Sequence, residues 1–353
     1  MATAPTPAYR LLVGERVVDT TREPRASTVV RLVVELDLDT PADGATLVLG
    51  NVDGLKPERG DRVEVDLGYA GDGGGLTRVM SGTVSAVEPD LTTTRVVAHS
   101  GASALLRPLA EQTYLNRTAG AIVRDLAAAA GVGVATADDG TTFPAYVVDG
   151  RQSAHRHMLD LARLCGFDLY LDPAGKLVFE KFTSGKTVHV YEYAKHVVAL
   201  DVRRTPPPAD VVEAWGEGPG GGRGGDAWAW LTKDFSASKG TAGPGAGGTP
   251  GAAPVRLLLE RSALRTATGA RSAAEAALAA IRHRATRGEL VGVGRPEVKL
   301  GDAVRLRGLP KSIGGLDGVY QVRGVTHRLG KRAGFTTTVA FQGAESAGAG
   351  AGP

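Results

Sequence analysis

The chain has 353 residues, of which 42% are hydrophobic and only 5% aromatic, while glycine occurs 49 times. This length allows two or three domains with cores of their own, and the many small residues favour a β-rich fold with numerous turns over large aromatic cores. The formal net charge of +3 is small for the length, so it gives no indication of nucleic-acid or membrane binding.

The first hundred residues have the pattern of strands. Five segments are rich in β-branched residues or alternate between apolar and polar residues, namely 28–38, 45–49, 62–69, 79–87 and 94–99. Short strands at regular spacing, separated by turn residues, are typical of a small antiparallel barrel or sandwich. Residues 1–100 are therefore predicted to form a first, tube-like antiparallel β-barrel domain.

The middle of the chain changes to a mixed pattern. An alanine-rich helix is predicted over 118–130, and Ser153 caps a second helix that Gly166 ends. A β-hairpin over 167–180 turns at an Asp-Pro-Ala-Gly sequence. Residues 101–200 are thus predicted to be an α+β insertion domain.

A glycine-rich segment follows over residues 217–253. Its composition is that of a flexible loop or linker, and we expect Trp228 and Trp230 within it to form a short ordered island. Residues 344–353 are a small-residue tail that we expect to be disordered.

The last region returns to strands after one helix. Ser272 and Glu275 form a Ser-x-x-Glu capping box, and Gly288 is the expected end of this helix. Strands are then predicted over 290–293, 303–306, 320–326 and 336–341. Residues 201–343 are therefore predicted to form the second tube-like β-barrel domain.

The two barrel regions share one order of features. In each, a proline is followed by Gly-Asp and an alternating strand, at Gly60-Asp61 and again at Gly301-Asp302. A glycine-containing turn, a long strand and a closing β-branched strand follow in both. Turns of this kind occur in many β proteins, but four matching features in one order favour an internal duplication. We therefore predict a β-rich α+β fold with two related antiparallel barrels and an α+β insertion between them.

A duplication has a consequence for symmetry. Three chains with two similar units each carry six quasi-equivalent units, so a trimer can sit on a six-fold ring. Charge differs between the regions: residues 1–100 have a net charge of −5, residues 101–253 of −1 and residues 254–342 of +10. We hypothesise that alternation of acidic first barrels with basic second barrels favours unlike neighbours.

Histidine and cysteine positions give no pattern for a chemical site. His155 and His157 lie two apart on the second predicted helix, so they do not share a face with each other; they are predicted to be surface residues despite Asp160 and Cys165 nearby. The single cysteine excludes an intrachain disulfide and a multi-cysteine zinc site. His99 and His327 are expected at strand ends, in turn or packing roles.

Other candidate groups are equally unspecific. No nucleophile elbow, phosphate-binding loop or His-Glu-x-x-His motif occurs. The carboxylate pairs Asp37/Asp39 and Asp138/Asp139 are expected on solvated edges and turns, and the basic run 328–332 at a solvated hairpin tip. We therefore predict no catalytic, cofactor-binding or metal-binding residues, and a protein that is not an enzyme. Since the sequence has neither a signal-peptide layout nor an apolar run of ~20 residues, we expect cytoplasmic synthesis without direct membrane insertion.

Three stretches together resemble the phage late control gene D family, relatives of tail hubs and of the N-terminal part of type VI secretion spike proteins (VgrG). The first is the helix over 118–131. The second, MLDLARLCGFDLYLD with GKLVF over 158–179, is similar to the family's segment FL-x-x-LA-x-x-x-G-[FY]-x-[FY]-x-x-D…GKL-x-F. It departs from that segment at Met158, which replaces a phenylalanine, and in a shifted alternation after Gly166. The third stretch runs from Gly294-Arg295-Pro296 to His327.

The resemblance implies a structural role at the centre of a phage tail or contractile injection baseplate. The family's hubs are homotrimers whose barrels form a pseudo-hexameric ring, with an inner tube protein above, a spike below and other baseplate proteins around them. Because this chain ends without a further barrel or β-helix, the spike is expected to be a separate polypeptide. Two other classes stay open: a cell-wall-binding or cell-wall-degrading baseplate component, and a monomeric ligand-binding barrel.

Overall fold

The computed structural model describes most of the chain. The described residues are 6–22, 28–50, 55–71, 74–108, 111–183, 186–217, 238–243, 254–310, 313, 315–331 and 333–344. Trp228 and Trp230 lie outside them, as do all residues of the predicted tail except 344. Within the predicted glycine-rich loop, the described part contains a short strand at Lys239–Ala242.

The first unit consists of seven strands. These are β1 (Thr6–Val13), β2 (Arg16–Asp19), β3 (Val29–Asp37), β4 (Gly44–Gly50), β5 (Arg62–Ala70), β6 (Leu76–Pro89) and β7 (Thr93–Ser100). They pair antiparallel in the order β3-β4-β7-β6-β5-β1-β2. Strand β4 shows the underlying pattern, because Ala45, Leu47 and Leu49 alternate into the core while their neighbours stay half-buried. The five predicted strands of this region are confirmed, and β1 and β2 were not predicted.

The middle region holds two of the three described α-helices. After a 3-10 helix (Gly101–Leu106) come β8 (Gln112–Thr118), α1 (Ala119–Ala129), β9 (Val134–Ala137), β10 (Thr142–Val148), α2 (Ala154–Cys165), β11 (Asp168–Leu171) and β12 (Leu177–Glu180). Both predicted helices and the predicted hairpin are confirmed. The hydroxyl of Ser153 accepts the Arg156 N–H at the start of α2, and Gly166 ends the helix at a φ of +69°.

The remaining elements are mostly strands. They are β13 (Val188–Glu192), β14 (Val197–Arg204), β15 (Val211–Trp215), β16 (Lys239–Ala242), β17 (Arg256–Glu260), α3 (Ala267–Arg284), β18 (Thr286–Val293), β19 (Ala303–Arg307), β20 (Gly318–Gly330) and β21 (Gly334–Gly343). The predicted start of α3 at Ser272 is wrong. Thr266 caps the helix instead by accepting the Gly269 N–H, so α3 begins one and a half turns earlier. It ends at Arg284, before the predicted Gly288.

One large sheet dominates the fold. Thirteen strands join in the order β14-β18-β21-β20-β3-β4-β7-β6-β5-β1-β2, with β19 beside β20 and β13 beside β19. Within this sheet all pairings are antiparallel except β13 with β19. The prediction of a β-rich fold is confirmed. No strand pairing among the described residues closes β1–β7, or the later strands β13, β14 and β18–β21, into a separate barrel.

Two hydrophobic clusters fill the interior. The first contains side chains of the first unit and of the later strands β13 and β18–β21, from Tyr9 to Phe341. The second contains the middle region together with α3, β15 and β16, so segments before and after residue 200 pack in one core. A glycine of β16 permits the close approach to α3 here, because a Cβ added to Gly240 would lie 2.0 Å from the backbone nitrogen of Arg271.

Candidate assembly surfaces

The sheet contains two units with the same strand order. The strand order β3-β4-β7-β6-β5-β1 in the first unit corresponds to β14-β18-β21-β20-β19-β13 in the second. Each neighbouring pair has the same relative direction in both units, except the last, where β1 runs antiparallel to β5 and β13 parallel to β19. Such agreement over six strands is what the sequence pattern of a duplication predicts.

The repeated Gly-Asp turn has the same hydrogen bonds in both units. Asp61 accepts the Glu58 N–H at 2.8 Å, and Asp302 accepts the Lys299 N–H at 3.2 Å. The preceding glycines, Gly60 and Gly301, have φ values of +97° and +82°, which side-chain-bearing residues rarely adopt. The Gly-Asp pair is thus required by the turn geometry.

Two β-bulges also recur at equivalent positions. The first interrupts β6 at Ser85 and β20 at Arg323, one residue after a valine whose N–H donates to the carbonyl of the Gly-Asp turn. The second interrupts β3 at Val30 and β14 at Val198. Because a bulge shifts the register by one residue, its recurrence aligns the two units residue by residue.

The two units meet where β20 pairs with β3. Seven residue pairs form this junction, from Gly324 opposite Asp37 to Gly330 opposite Arg31. Further backbone bonds extend it at both ends, from the Leu38 N–H to the Arg323 carbonyl at 2.9 Å and from the Lys331 N–H to the Val30 carbonyl at 3.4 Å. The junction joins the two units into one continuous β-sheet.

The core side of the junction is apolar apart from one histidine. Leu32, Val34, Val325 and Leu329 are buried, and His327 lies fully buried opposite Val34. Burial lowers the pKa of His327 to about 4, so its ring is neutral at pH 7 and its Nδ1 pairs with the Thr337 hydroxyl at 3.0 Å. The packing role predicted for His327 is confirmed, but it lies inside β20 and not at its end.

A charge cluster, largely buried at Asp168 and Arg323 and exposed at Asp39, attaches the middle region to this junction. Arg323, the bulge residue of β20, binds Asp168 of β11 at 3.1 Å and Asp39 at 2.8 Å. The Gln321 amide donates to the same Asp168 carboxylate at 2.5 Å. Burial raises the pKa of Asp168 to about 6, although Arg323 and Gln321 counteract it. Sequence reasoning missed this cluster, because its members come from segments far apart in the chain.

The two units differ in charge at equivalent positions of one strand. Counting from the Gly-Asp turn, Glu64 and Asp66 of β5 correspond to Arg305 and Arg307 of β19. The acidic pair is nearly buried and forms ion pairs with three arginines of its own unit, Arg10, Arg62 and Arg78. The charge difference seen in the sequence therefore recurs in the fold, but its acidic half is partly neutralised within the unit.

The other predicted residues do not come together in a site. His157 is buried and not at the surface as predicted. Its ring has polar neighbours on both nitrogens: Nε2 lies 3.2 Å from the Asp149 carbonyl and Nδ1 lies 3.4 Å from the Tyr146 hydroxyl. His155 is half-buried on another side of α2. His99 is half-buried near the end of β7, as predicted.

Three of the four paired aspartates occupy surface positions. Asp39 is exposed in a turn, where it meets Arg323, and Asp138 and Asp139 are exposed in the loop after β9, as predicted. Asp37 differs from the prediction, because it is half-buried as the last residue of β3. Residues 328–331 end the β20–β21 hairpin, and Arg332 lies outside the described residues. The residues that the structure describes contain no group of three or more histidine, cysteine or acidic side chains placed to hold a metal ion. None of the described helices combines the length and apolar character needed to cross a bilayer.

Changing Asp43 to asparagine should stabilise the protein at alkaline pH. Asp43 is 7% exposed and accepts the Asp37 N–H at 3.1 Å; burial raises its pKa to about 7. A carboxyl with a raised pKa contributes stability that is complete below its unfolded pKa near 4 and is lost as pH rises through 7. Asparagine keeps the acceptor oxygen without the charge. We expect a gain of about 2 kcal/mol at pH 8 and none near pH 4.

Urea unfolding at several pH values measures this effect. Asp90→Asn, at an exposed turn between β6 and β7, controls for the change of side chain. An equal gain at pH 4 and pH 8 would mean that the asparagine acts by some route other than removal of the buried charge.

Solved structures with the same fold are phage tail and secretion proteins. A 43 kDa tail protein of prophage MuSo2 from Shewanella oneidensis has a TM-score of 0.68 and 15% identity, over 95% of this chain and 98% of its own. A tail protein from Neisseria meningitidis MC58 has a TM-score of 0.68 and 15% identity, over 96% of both chains.

A third similar structure is an Escherichia coli component of the type VI secretion system, described as similar to the T4 bacteriophage tail proteins gp27 and gp5. It has a TM-score of 0.55 and 11% identity, over 95% of this chain and 77% of its own. No protein-family model matches the chain, and no curated protein matches it either. The chain therefore has a fold found in phage tail and type VI secretion proteins, as the sequence resemblance implies.

Proposed function

We propose that this chain is a structural, non-enzymatic hub of a phage tail or contractile injection baseplate. The observation that carries the proposal is the pair of equivalent β units, which are fused into one wall by the β20–β3 junction. The shared fold with two phage tail proteins and a type VI secretion component supports it. The rival cell-wall-cleaving and ligand-binding classes have no comparable support from the described residues.

The finer form of the proposal is a homotrimer that adapts six-fold to three-fold symmetry. Three chains place six equivalent β units around one axis, which suits the end of a six-fold inner tube. The parts of the chain that are not repeated occur only three times in the trimer, which suits a separate three-fold spike on the opposite side. The strands of the large sheet, including β13 and β14, would supply the tube-like walls. The middle region, with the α3 and β15 residues that pack into its core, would supply the surface toward other baseplate proteins. The working location would then be the assembled particle.

The tube-like units in this proposal depend on their neighbours. Each unit is open in the single chain, so a wall around a pore is completed when units of different chains lie side by side. Subunit interfaces of this kind are extensive and apolar in obligate oligomers. The unlike charges at equivalent positions of β5 and β19 would then favour alternation of first and second units.

Native mass spectrometry of the full chain tests the proposal. We expect a trimer of about 109 kDa, three times the chain mass of 36.4 kDa, and a ring with a central opening in electron micrographs. A purely monomeric chain at micromolar concentration would refute the trimer and favour the ligand-binding rival. Hydrolysis of purified peptidoglycan would refute the non-enzymatic role.

The proposed charge alternation has its own test. Trimer formation should slow as salt rises from 50 to 500 mM, because screening weakens the attraction between unlike units. An assembly rate that does not change over this range would contradict the alternation while leaving the trimer in place.

A further inference from the structure

We infer that the outer edge of β6, over Ser85–Pro89, pairs with the outer edge of β14 in a second copy of this chain. The inference rests on the proposed trimeric hub and names the strands that join its subunits. It follows from one asymmetry of the structure: the long strand of the second unit is paired along both edges, and the equivalent strand of the first unit is not.

The long strands β20 and β6 differ in their neighbours. The first half of β20 pairs with β19 and its second half with β3, while β21 lies along the other edge. The first half of β6 pairs with β5 in the same way, but the last bonds on that side join Val84 to Asp61 and Gly60. Beyond Val84, no described strand occupies the place that β3 takes beside β20. An edge of unpaired backbone groups is a template for another strand.

The strand that fits this place is β14. It is the equivalent of β3, since both carry the same bulge and pair with equivalent strands. Among the described residues β14 pairs with β18 alone, so its other edge is open. The junction found between β20 and β3 within one chain would thus recur between β6 and β14 of neighbouring chains, and this repetition is what turns two units per chain into a continuous ring.

The bulges set the register of the new pairing. Val325 lies opposite Leu36 at the internal junction, and their equivalents are Val87 and Arg204. The next pairs by the same rule are Glu88 opposite Arg203 and Pro89 opposite Val202 of the second copy. The Glu88–Arg203 pair brings an exposed carboxylate and an exposed guanidinium together, although Glu88 also binds Arg95 of its own chain at 2.9 Å.

Backbone direction is consistent with this register. In β20 the Arg323 carbonyl and the Lys331 N–H bond to the β3 side, so alternate residues between them face β3. Their equivalents in β6 are Val87 and Pro89, which face the open edge. Val87 can exchange two hydrogen bonds, and Pro89 can only accept one because proline has no N–H. The pairing is therefore short, and proline stops it from extending.

Burial indicates an incomplete apolar surface on both edges. At the internal junction Leu32 and Val34 are 0% exposed and Val325 is 1% exposed. Their equivalents Leu200, Val202 and Val87 pack against the same core but stay half-buried. Removing apolar surface from water is favourable, so a second copy on these edges would supply the burial that the internal junction already has.

Disulfide trapping tests the pairing and its register. In a Cys165→Ala background, Glu88→Cys and Arg203→Cys occupy opposed positions that do not exchange hydrogen bonds, where Cα atoms lie ~4.5 Å apart, within the range of a disulfide. After mild oxidation we expect dimers and trimers on a non-reducing gel, which reduction returns to monomers. A mixture of the two single-cysteine variants should give dimers only. The matched control replaces Asp201 instead of Arg203, two residues along β14, and should give less than a tenth of the cross-linked product.

Four outcomes would overturn the edge pairing, its register, its head-to-tail form or the hub itself. A native trimer that gives no Glu88–Arg203 cross-link would overturn the edge pairing and leave the hub in place. A monomer without cross-links would overturn both. Equal cross-linking in the Asp201 control would overturn the register, and self-cross-linking of Glu88→Cys alone would show a two-fold contact instead of a head-to-tail one.

Discussion

Replacing Arg323 with alanine is expected to lower the free energy of unfolding by about 4 kcal/mol at pH 8. Arg323 is the only cation bound to Asp168 among the described ion pairs, and both side chains are largely buried. Its loss leaves a buried carboxylate without a counter-charge, and removal of one partner of such a pair is far more damaging than replacement of both. The same change also removes the bond to Asp39.

The deficit of Arg323→Ala should depend on pH. The pKa of Asp168 is already raised to about 6 by burial, and Arg323 lowers it, so the variant has a still higher pKa. A raised carboxyl pKa gives stability that is present at low pH and lost as pH rises. The deficit should therefore shrink between pH 8 and pH 5, where the variant's Asp168 is protonated in the folded protein.

Urea unfolding at the two pH values measures both effects. Asp168→Asn in the Arg323→Ala background should restore about half of the lost stability at pH 8, because the stranded charge is gone. The exposed pair Arg95–Glu88 supplies the control, since Arg95→Ala should change stability by less than ~1 kcal/mol. A deficit that is the same at pH 5 and pH 8 would contradict the assigned role of Asp168.

The second large effect is expected at Leu32 in the junction. Leu32 is 0% exposed in β3 and lies opposite Leu329 of β20. Leu32→Ala should destabilise the chain by about 3 kcal/mol, because it removes buried methyl groups and leaves a cavity at a site that both units enclose.

Leu200→Ala is the matched variant, because Leu200 of β14 is the equivalent residue at the open edge. In dilute monomer it should lower stability by about 1 kcal/mol, since the side chain is already half-exposed to water. At concentrations where the chain assembles, its effect should approach that of Leu32→Ala. Thermal unfolding at two protein concentrations measures the difference. If Leu32→Ala and Leu200→Ala destabilise the monomer equally, the absence of a strand beside β14 does not account for a difference between the two positions.

Local sequence signals predicted the elements that have their own start and stop residues. Helices α1 and α2 were placed to within a residue, because Thr118 and Ser153 cap them through side-chain bonds and Gly166 supplies a left-handed end. The capping-box pattern at Ser272 failed for α3, since an earlier cap at Thr266 is available and the helix is held by packing against β16. Strands with a weak alternation, such as β14, were missed because pairing with a distant strand, and not a local sequence pattern, holds them in place.

The assembly surfaces could be predicted only in part. The duplication was visible in the repeated Gly-Asp turns, since those turns require particular residues. The β20–β3 junction and the Asp168–Arg323 pair could not be predicted, because each joins residues far apart in the chain that share no local sequence pattern. The burial of His157 was mispredicted because its partners come from β10 and from the loop before α2.

The junction also determines when the fold can be completed. Strand β3 is made roughly 290 residues before the β20 residues that cover it. At a synthesis rate of ~5–20 residues per second, the edge of β3 stays bare for about 15–60 s on the ribosome. Contacts between such distant segments also make folding slow. During this interval a nascent chain offers another nascent chain the same edge that its own C-terminal strand is meant to occupy, so the length of the intervening segment sets the time during which premature pairing competes with folding.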